Sequence, residues 1–215
     1  MTPKTIEAQR RQARILLLID AASRAGLTPV PLLTFHALAY LANVLAPVWD
    51  MPAHDGKVLK RRGGPFYPDL QGDLDRMVGA GMVIISNVSH VQMPDGKWRL
   101  EGGYDLNGAL ASSALSFLLS HPDESRLSKF ITELAYAISV LEPSEVERAL
   151  AEDATYSDPA VSMDNVLDFS EWASQNPSAN AANYFARLFP SHGSVSPGEK
   201  LHLYVRHLRR RAHAG

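Results

Sequence analysis

The chain of 215 residues contains no cysteine. That absence excludes disulfides, thiolate zinc sites and cysteine nucleophiles together. It has no excess of one charge either: 21 basic residues stand against 23 acidic ones, the net charge is −2 and the pI is near 6.4, which is not the strongly basic balance of a broad nucleic-acid binder. No apolar run approaches the roughly 20 residues that span a bilayer. The longest, at 15–19, follows Arg10, Arg11 and Arg14 and is cut off by Asp20, so it does not read as a signal peptide. Also missing are G-x-S-x-G, a Walker loop, a dinucleotide glycine fingerprint and H-E-x-x-H. Serines, histidines and aspartates are present, but not at a spacing that marks a triad. These absences lead us to expect a cytoplasmic, non-catalytic protein with no cofactor, no metal and no membrane segment.

Hydrophobic residues make up 46% of the chain and charged residues 20%, a balance that supports a folded core rather than disorder. Charge is unevenly spread, with basic clusters at Lys57, Lys60, Arg61, Arg62 and at Lys200, Arg206, Arg209, Arg210, Arg211, and acid concentrated over 142–171. The spacing predicts a first helix over 5–25, with Ile15, Leu18, Ile19 and Ala22 on one face. Gly26 is placed to stop it, and Pro29 and Pro31 to delay the next. A second helix over 31–45 is apolar around most of its circumference, which predicts burial on several sides. His36 and Tyr40 share a face of it. A core histidine with a hydrogen-bond partner is the reading there, because nothing of metal-ligand spacing is near.

Residues 49–64 read as a loop rich in proline, glycine and charge, with Asp-Gly at 55–56 a turn signal able to close a small hairpin. Its basic residues are either a solvated loop or a contact for phosphate or an acidic partner. Residues 68–78 follow as an amphipathic helix, with Asp69 and Asp73 near its start and Leu70, Leu74, Met77 and Val78 in one stripe. Gly79 and Gly81 end it. Strands over 83–91 and 98–106 are joined by Met93-Pro94-Asp95-Gly96-Lys97, with Gly102 and Gly103 a bulge or bend. Two helices, then a helix running into a hairpin, is winged-helix order; the alternative is a generic α+β domain with the same elements arranged differently.

The remainder reads as helical. Helices are expected over 109–119, 123–141, 144–153, 179–189 and 199–215, with Glu145 and Arg148 three apart for an ion pair. A turn of helix is expected over 166–173 around Phe169 and Trp172. His202 and His207 are five apart, with His213 beyond them, not the i, i+4 spacing that sets two histidines toward one zinc. The fold class is therefore mainly α with a small β-hairpin: a winged helix-turn-helix domain over 1–107, then a helical domain over 108–215.

The segment GPFYPDLQGDLDRMVGAGMV resembles the G-P-x-x-x-x-L-x-x-D-L-D-x-L-x-x-x-G-L-I run of two groups of prokaryotic winged-helix proteins. One group is the small middle components of ABC-type three-component systems whose ATPase is SMC-like; the other is the Panacea family of antitoxins. The matching residues are Gly64, Pro65, Leu70, Asp73, Leu74, Asp75, Met77, Gly81 and Val83, and the segment before them, RILLLIDAASRAGLTPVPLLTFHALAYLANVLAP, is more similar to the middle components. The resemblance covers the N-terminal half. It implies a non-catalytic adaptor that binds an SMC-like ATPase complex in bacterial defence against phage or plasmids. The alternative is a DNA-binding transcriptional regulator, reading the groove with the third helix. Charge opposes it, since that helix sets Asp69, Asp73 and Asp75 against Arg76 and would meet phosphate with acid. Any contact with nucleic acid or an acidic partner is expected at Lys57, Lys60, Arg61, Arg62, Lys97, Arg99, Arg206, Arg209, Arg210 and Arg211. A larger protein partner is expected, with DNA reached through the complex and self-association open.

Overall fold

A computed structural model describes residues 3–53, 57–92, 96, 98–169, 176–188 and 195–214, without the side chains of residues 3, 4, 99, 100 and 186. The turn at 55–56, most of the turn at 93–97, Lys97 and Trp172 lie outside these residues. The fold is mainly helical, 61% helix against 16% strand, with two small sheets of three strands each among the described residues. The chain divides into two compact units, one of residues 1–35 and 68–132, the other of 36–67 and 133–215. This differs from a single cut after Asn107: each unit draws on two separated segments.

In the first unit, α1 (Pro3–Arg24) is buried without a break from Arg14 to Ile19. It stops where expected: Gly26 takes φ 72°, and the Leu27 N–H donates to the Ala22 carbonyl at 2.8 Å. That left-handed turn is open to glycine at no steric cost. β1 (Val30–Pro31) leads into α2 (Leu32–Leu45). α3 (Pro68–Gly79) buries Leu70, Asp73, Leu74 and Met77, the i, i+3, i+4, i+7 stripe of a one-sided helix. It ends on Gly81, φ 75°, with the Met82 N–H on the Met77 carbonyl at 3.0 Å. β4 (Val83–Gln92) and β5 (Trp98–Leu106) pair antiparallel, with a bulge between Ser86 and Ser89, and β1 adds to the other side of β5 through Val30↔Tyr104 and Pro31↔Gly103. The sheet order is β1-β5-β4. The core of this unit gathers Ile15, Leu18, Val30, Phe35, Leu74 and Tyr104. Asn107 then caps α4 (Gly108–Leu119), its Oδ1 accepting from the Ala109 N–H at 3.2 Å, as asparagine does at a helix start. The first part of α5 (Pro122–Ile138) belongs here too.

The second unit begins within α2, whose residues 34–45 are buried in an unbroken run. His36 is a core histidine: its Nδ1 accepts from the Tyr67 N–H at 3.4 Å and its ring stacks on Tyr67. A 3-10 turn, Ala46–Trp49, extends the apolar stretch past Pro47, because proline is tolerated in a first helical turn. Leu32–Trp49 is consequently long and apolar enough to cross a membrane by length and composition, beyond what the expected stop at Leu45 allowed; 78% of it is buried inside the protein, as in a core helix.

The expected loop at 49–64 is only partly a loop. β2 (Lys57–Arg61) and β3 (Gly64–Phe66) form a hairpin turning at Arg62 and Gly63, and β6 (Val166–Asp168) pairs with β2 through Val58↔Leu167. A strand therefore stands where a helical turn was expected at 166–168. Three residues are too few to show a helical period, and a neighbouring strand with free backbone groups decides their state. α6 (Val146–Ala151), α7 (Pro177–Phe185), a 3-10 turn (Ala186–Leu188) and α8 (Pro197–Ala214) complete the unit. α8 buries Leu201, Tyr204, Val205 and Leu208, the expected face.

Candidate functional site

Among the described residues, charge or exposed apolar surface that could meet a partner is found on α3, on the β4–β5 hairpin, in the basic cluster of β2 and at the end of α8, and on α4 through Leu110 and Phe117. On α3, Asp73 is wholly buried: its Oδ2 accepts from Arg11 Nε at 2.6 Å and its Oδ1 pairs with the Arg76 guanidinium. One acid and the helix's one base thus answer each other. Asp69 and Asp75 remain exposed, with the Gln71 amide donating to Asp75 at 2.7 Å, so the outward surface of α3 is acidic.

In the β4–β5 hairpin beyond it the charged residues, Arg99, Glu101 and Asp105, all lie on β5. β4 carries no charged residue, Val88 is 51% exposed and Trp98 65%. Lys97, and the side chain of Arg99, lie outside the described residues.

The first basic cluster does not act as one surface. Lys57 is exposed, its Nζ 3.8 Å from Asp168, and Arg62 is exposed at the hairpin turn. Arg61 lays its guanidinium 3.9 Å from the Phe66 ring centroid, within cation–π range. Its backbone carbonyl accepts the Tyr156 hydroxyl at 2.6 Å. Lys60 is buried: its ammonium donates to the carbonyls of Asp158 at 2.9 Å and Val161 at 2.7 Å. Burial pushes the Lys60 pKa down, opposed by Asp158. This corrects the expectation for Lys60, which ties the 158–161 turn to β2 and offers no charge outward. Tyr156 is pushed up to about 12, chiefly by burial.

The basic end of α8 is likewise divided. Arg209 Nε lies 3.0 Å from Glu145 Oε2 and His213 Nε2 2.7 Å from Glu145 Oε1, while Arg211 Nε lies 2.7 Å from Glu152. Glu145, expected to pair with Arg148, thus joins α8. Its pKa falls from 4.5 to about 2: the Glu142 backbone N–H on its carboxylate is the largest cause, burial opposes it, and His213 and Arg209 add to it. His207, beside Phe185, is lowered by burial first and then by Arg211 and Arg210. Among the described residues Arg206 and Arg210 are exposed and enter no ion pair.

A buried polar network in the second unit has no counterpart in the sequence expectations. Asp153, fully buried, accepts the Tyr40 hydroxyl at 2.5 Å, the Tyr204 hydroxyl at 2.7 Å and the N–H groups of Thr155 and Tyr156 at 3.1 and 2.9 Å. Ser178 joins through its hydroxyl on Thr155 at 2.7 Å. Burial, more than the nearby Asp153, raises the pKa of Tyr40 and Tyr204. The local signal was there to be read: an aspartate accepting from the N–H two residues on is an Asx-turn. Its two tyrosine partners lie 113 and 51 residues away and leave no such trace.

With each of its side-chain oxygens in at least one hydrogen bond, the network has the construction of a structural staple. Among the described residues no group of three or more histidine, aspartate or glutamate side chains is placed to hold a metal ion. No family model, curated protein or solved structure matches this chain.

Proposed function

We propose that the chain is a non-catalytic, cytoplasmic accessory subunit built on a winged helix, which binds a larger protein, an SMC-like ATPase complex of bacterial defence against phage or plasmids. The observation that carries the winged-helix part is the pairing of β1 with β5. A short strand between the first two helices that joins the hairpin after the third, in the order β1-β5-β4, is the arrangement a winged helix uses. The β2–β3 hairpin set between α2 and α3 is an addition to that plan.

The partner is inferred from surface chemistry and the motif resemblance. An acidic α3 repels phosphate, and with the exposed Val88 and Trp98 of the hairpin it suits protein contact. Co-expression with the products of neighbouring genes, followed by a pull-down, tests the reading: a stable complex is expected with an ATPase encoded there. Purification of the chain with none of those proteins attached would reject it.

A second reading, a DNA-binding regulator, is favoured by one observation. Arg206 and Arg210 are left unneutralised on the exposed side of α8, a like-charged pair at i, i+4. Arg206→Glu with Arg210→Glu would then abolish a salt-sensitive gel shift.

A further inference from the structure

Asn107-Gly108 is the only asparagine–glycine pair in the sequence. In such a pair the backbone nitrogen after the asparagine can attack its side-chain amide without hindrance, because glycine has no Cβ. The structure sets this pair at a joint. The Asn107 N–H donates to the Met82 carbonyl at 2.9 Å, Nδ2 donates to the Gly81 carbonyl at 3.0 Å, and Oδ1 accepts from the Ala109 N–H at 3.2 Å. Its backbone carbonyl accepts from the N–H groups of Leu110 and Ala111 at 3.0 and 2.8 Å, the first bonds of α4. One residue thus ties the turn after α3 to the start of α4. Gly108 is exposed, and a Cβ on it would meet nothing within 4 Å, so water and base reach the attacking nitrogen. Exposure alone would favour Asn87, which is exposed and left-handed at φ 53°. There, however, the next residue is Val88, whose branched side chain crowds the nitrogen.

We propose that Asn107 is a site of spontaneous self-modification, gated by the cap of α4. When the cap opens, the Gly108 nitrogen gives its proton to solvent base and bonds to Asn107 Cγ. The Cγ–Nδ2 bond breaks, the departing nitrogen takes a proton from water and leaves as ammonia, and a succinimide ring remains. Water then opens the ring at either carbonyl, giving aspartate or isoaspartate. The cap holds the amide through both side-chain hydrogen bonds, so the folded chain reacts only through local opening. Either product lacks the donor to the Gly81 carbonyl. Isoaspartate also inserts a carbon into the main chain and turns the carbonyl that starts α4 into a free carboxylate, so the start of the helix is loosened irreversibly.

The tryptic peptide of residues 100–126 holds no other asparagine and no glutamine, so its mass reads Asn107 alone. On prolonged incubation of the full chain at mildly alkaline pH, this peptide is expected to deamidate before those carrying the other asparagines. The rate should be at least about tenfold lower in the folded chain than in concentrated urea. Gly108→Ala is expected to slow the reaction in urea at least about tenfold, through the added Cβ, with stability unchanged or raised. In the modified chain, amide exchange at Leu110 and Ala111 should be faster than in the fresh one. No deamidation of Asn107 in the folded chain overturns the proposal, as does an equal rate in urea or another asparagine reacting first. So does a Gly108→Ala variant that reacts as fast as wild type, or exchange at Leu110 and Ala111 that modification leaves unchanged.

Discussion

A carboxylate taken wholly out of water must have its oxygens hydrogen-bonded, and Asp153 meets that demand with two tyrosine hydroxyls and two backbone N–H groups. Asp153→Ala leaves three buried donors, the Tyr40 and Tyr204 hydroxyls and the Tyr156 N–H, without their acceptor, while the Thr155 N–H keeps the Ser178 hydroxyl, and is expected to cost about 2–4 kcal/mol in urea unfolding; Tyr40→Phe, which removes a single bond, should cost about 1 kcal/mol. Glu145 allows a pH prediction. Its folded pKa, about 2, lies below its ordinary 4.5, so its contribution to stability is present above about pH 4.5 and is lost as the pH falls toward 2. Melting temperature followed through that window should fall less steeply in Glu145→Gln than in the wild type.

At the scale of elements, two contacts hold the first unit in register. Asp73 joins α3 to α1 through Arg11 and also pairs with Arg76, so removing it takes a fully buried carboxylate from two guanidiniums. Asp73→Ala is expected to destabilise by about 3 kcal/mol, with little further loss when Arg11→Met is added, a non-additivity that a double-mutant cycle reads directly. Gly103 lies where β1 meets β5, and a Cβ there would stand 2.6 Å from Pro29 Cβ. That approach is closer than packed atoms tolerate. Gly103→Ala should therefore cost about 1–3 kcal/mol and weaken amide-exchange protection in β5. Gly102→Ala would press on the Ile85 side chain at 3.0 Å and touch the Ser86 carbonyl at 3.4 Å, and is expected to cost less.

For the whole molecule, a net charge of −2 means that attraction to nucleic acid must come from local patches, and the structure reduces those patches. Lys60, Arg209 and Arg211 are answered within the chain. Any affinity for duplex DNA should therefore be weak and vanish near physiological salt. Arg206 and Arg210 are both exposed, so reversing them should weaken it further, to what the exposed Lys57 and Arg62 supply, while changing stability by no more than about 0.5 kcal/mol. Lys60→Met should do the opposite: it leaves two carbonyls unanswered, costs about 1–3 kcal/mol, and has no effect on DNA affinity.

Local order was legible in the sequence because its signals are local. Apolar residues three and four apart announced α1, α3 and α8, glycines announced the turns at Gly26 and Gly81, and β-branched runs announced the hairpin. The acidic bias of α3 needed only counting. Tertiary structure decided what depends on residues distant along the chain. β6 is a strand because β2, more than a hundred residues earlier, offers it an edge, and Lys60 lost its place in the candidate contact surface to carbonyls 98 and 101 residues away. Charge is written in the sequence, but whether it faces solvent or a partner inside the chain is set by burial and pairing, and no periodicity within a helix or strand encodes either.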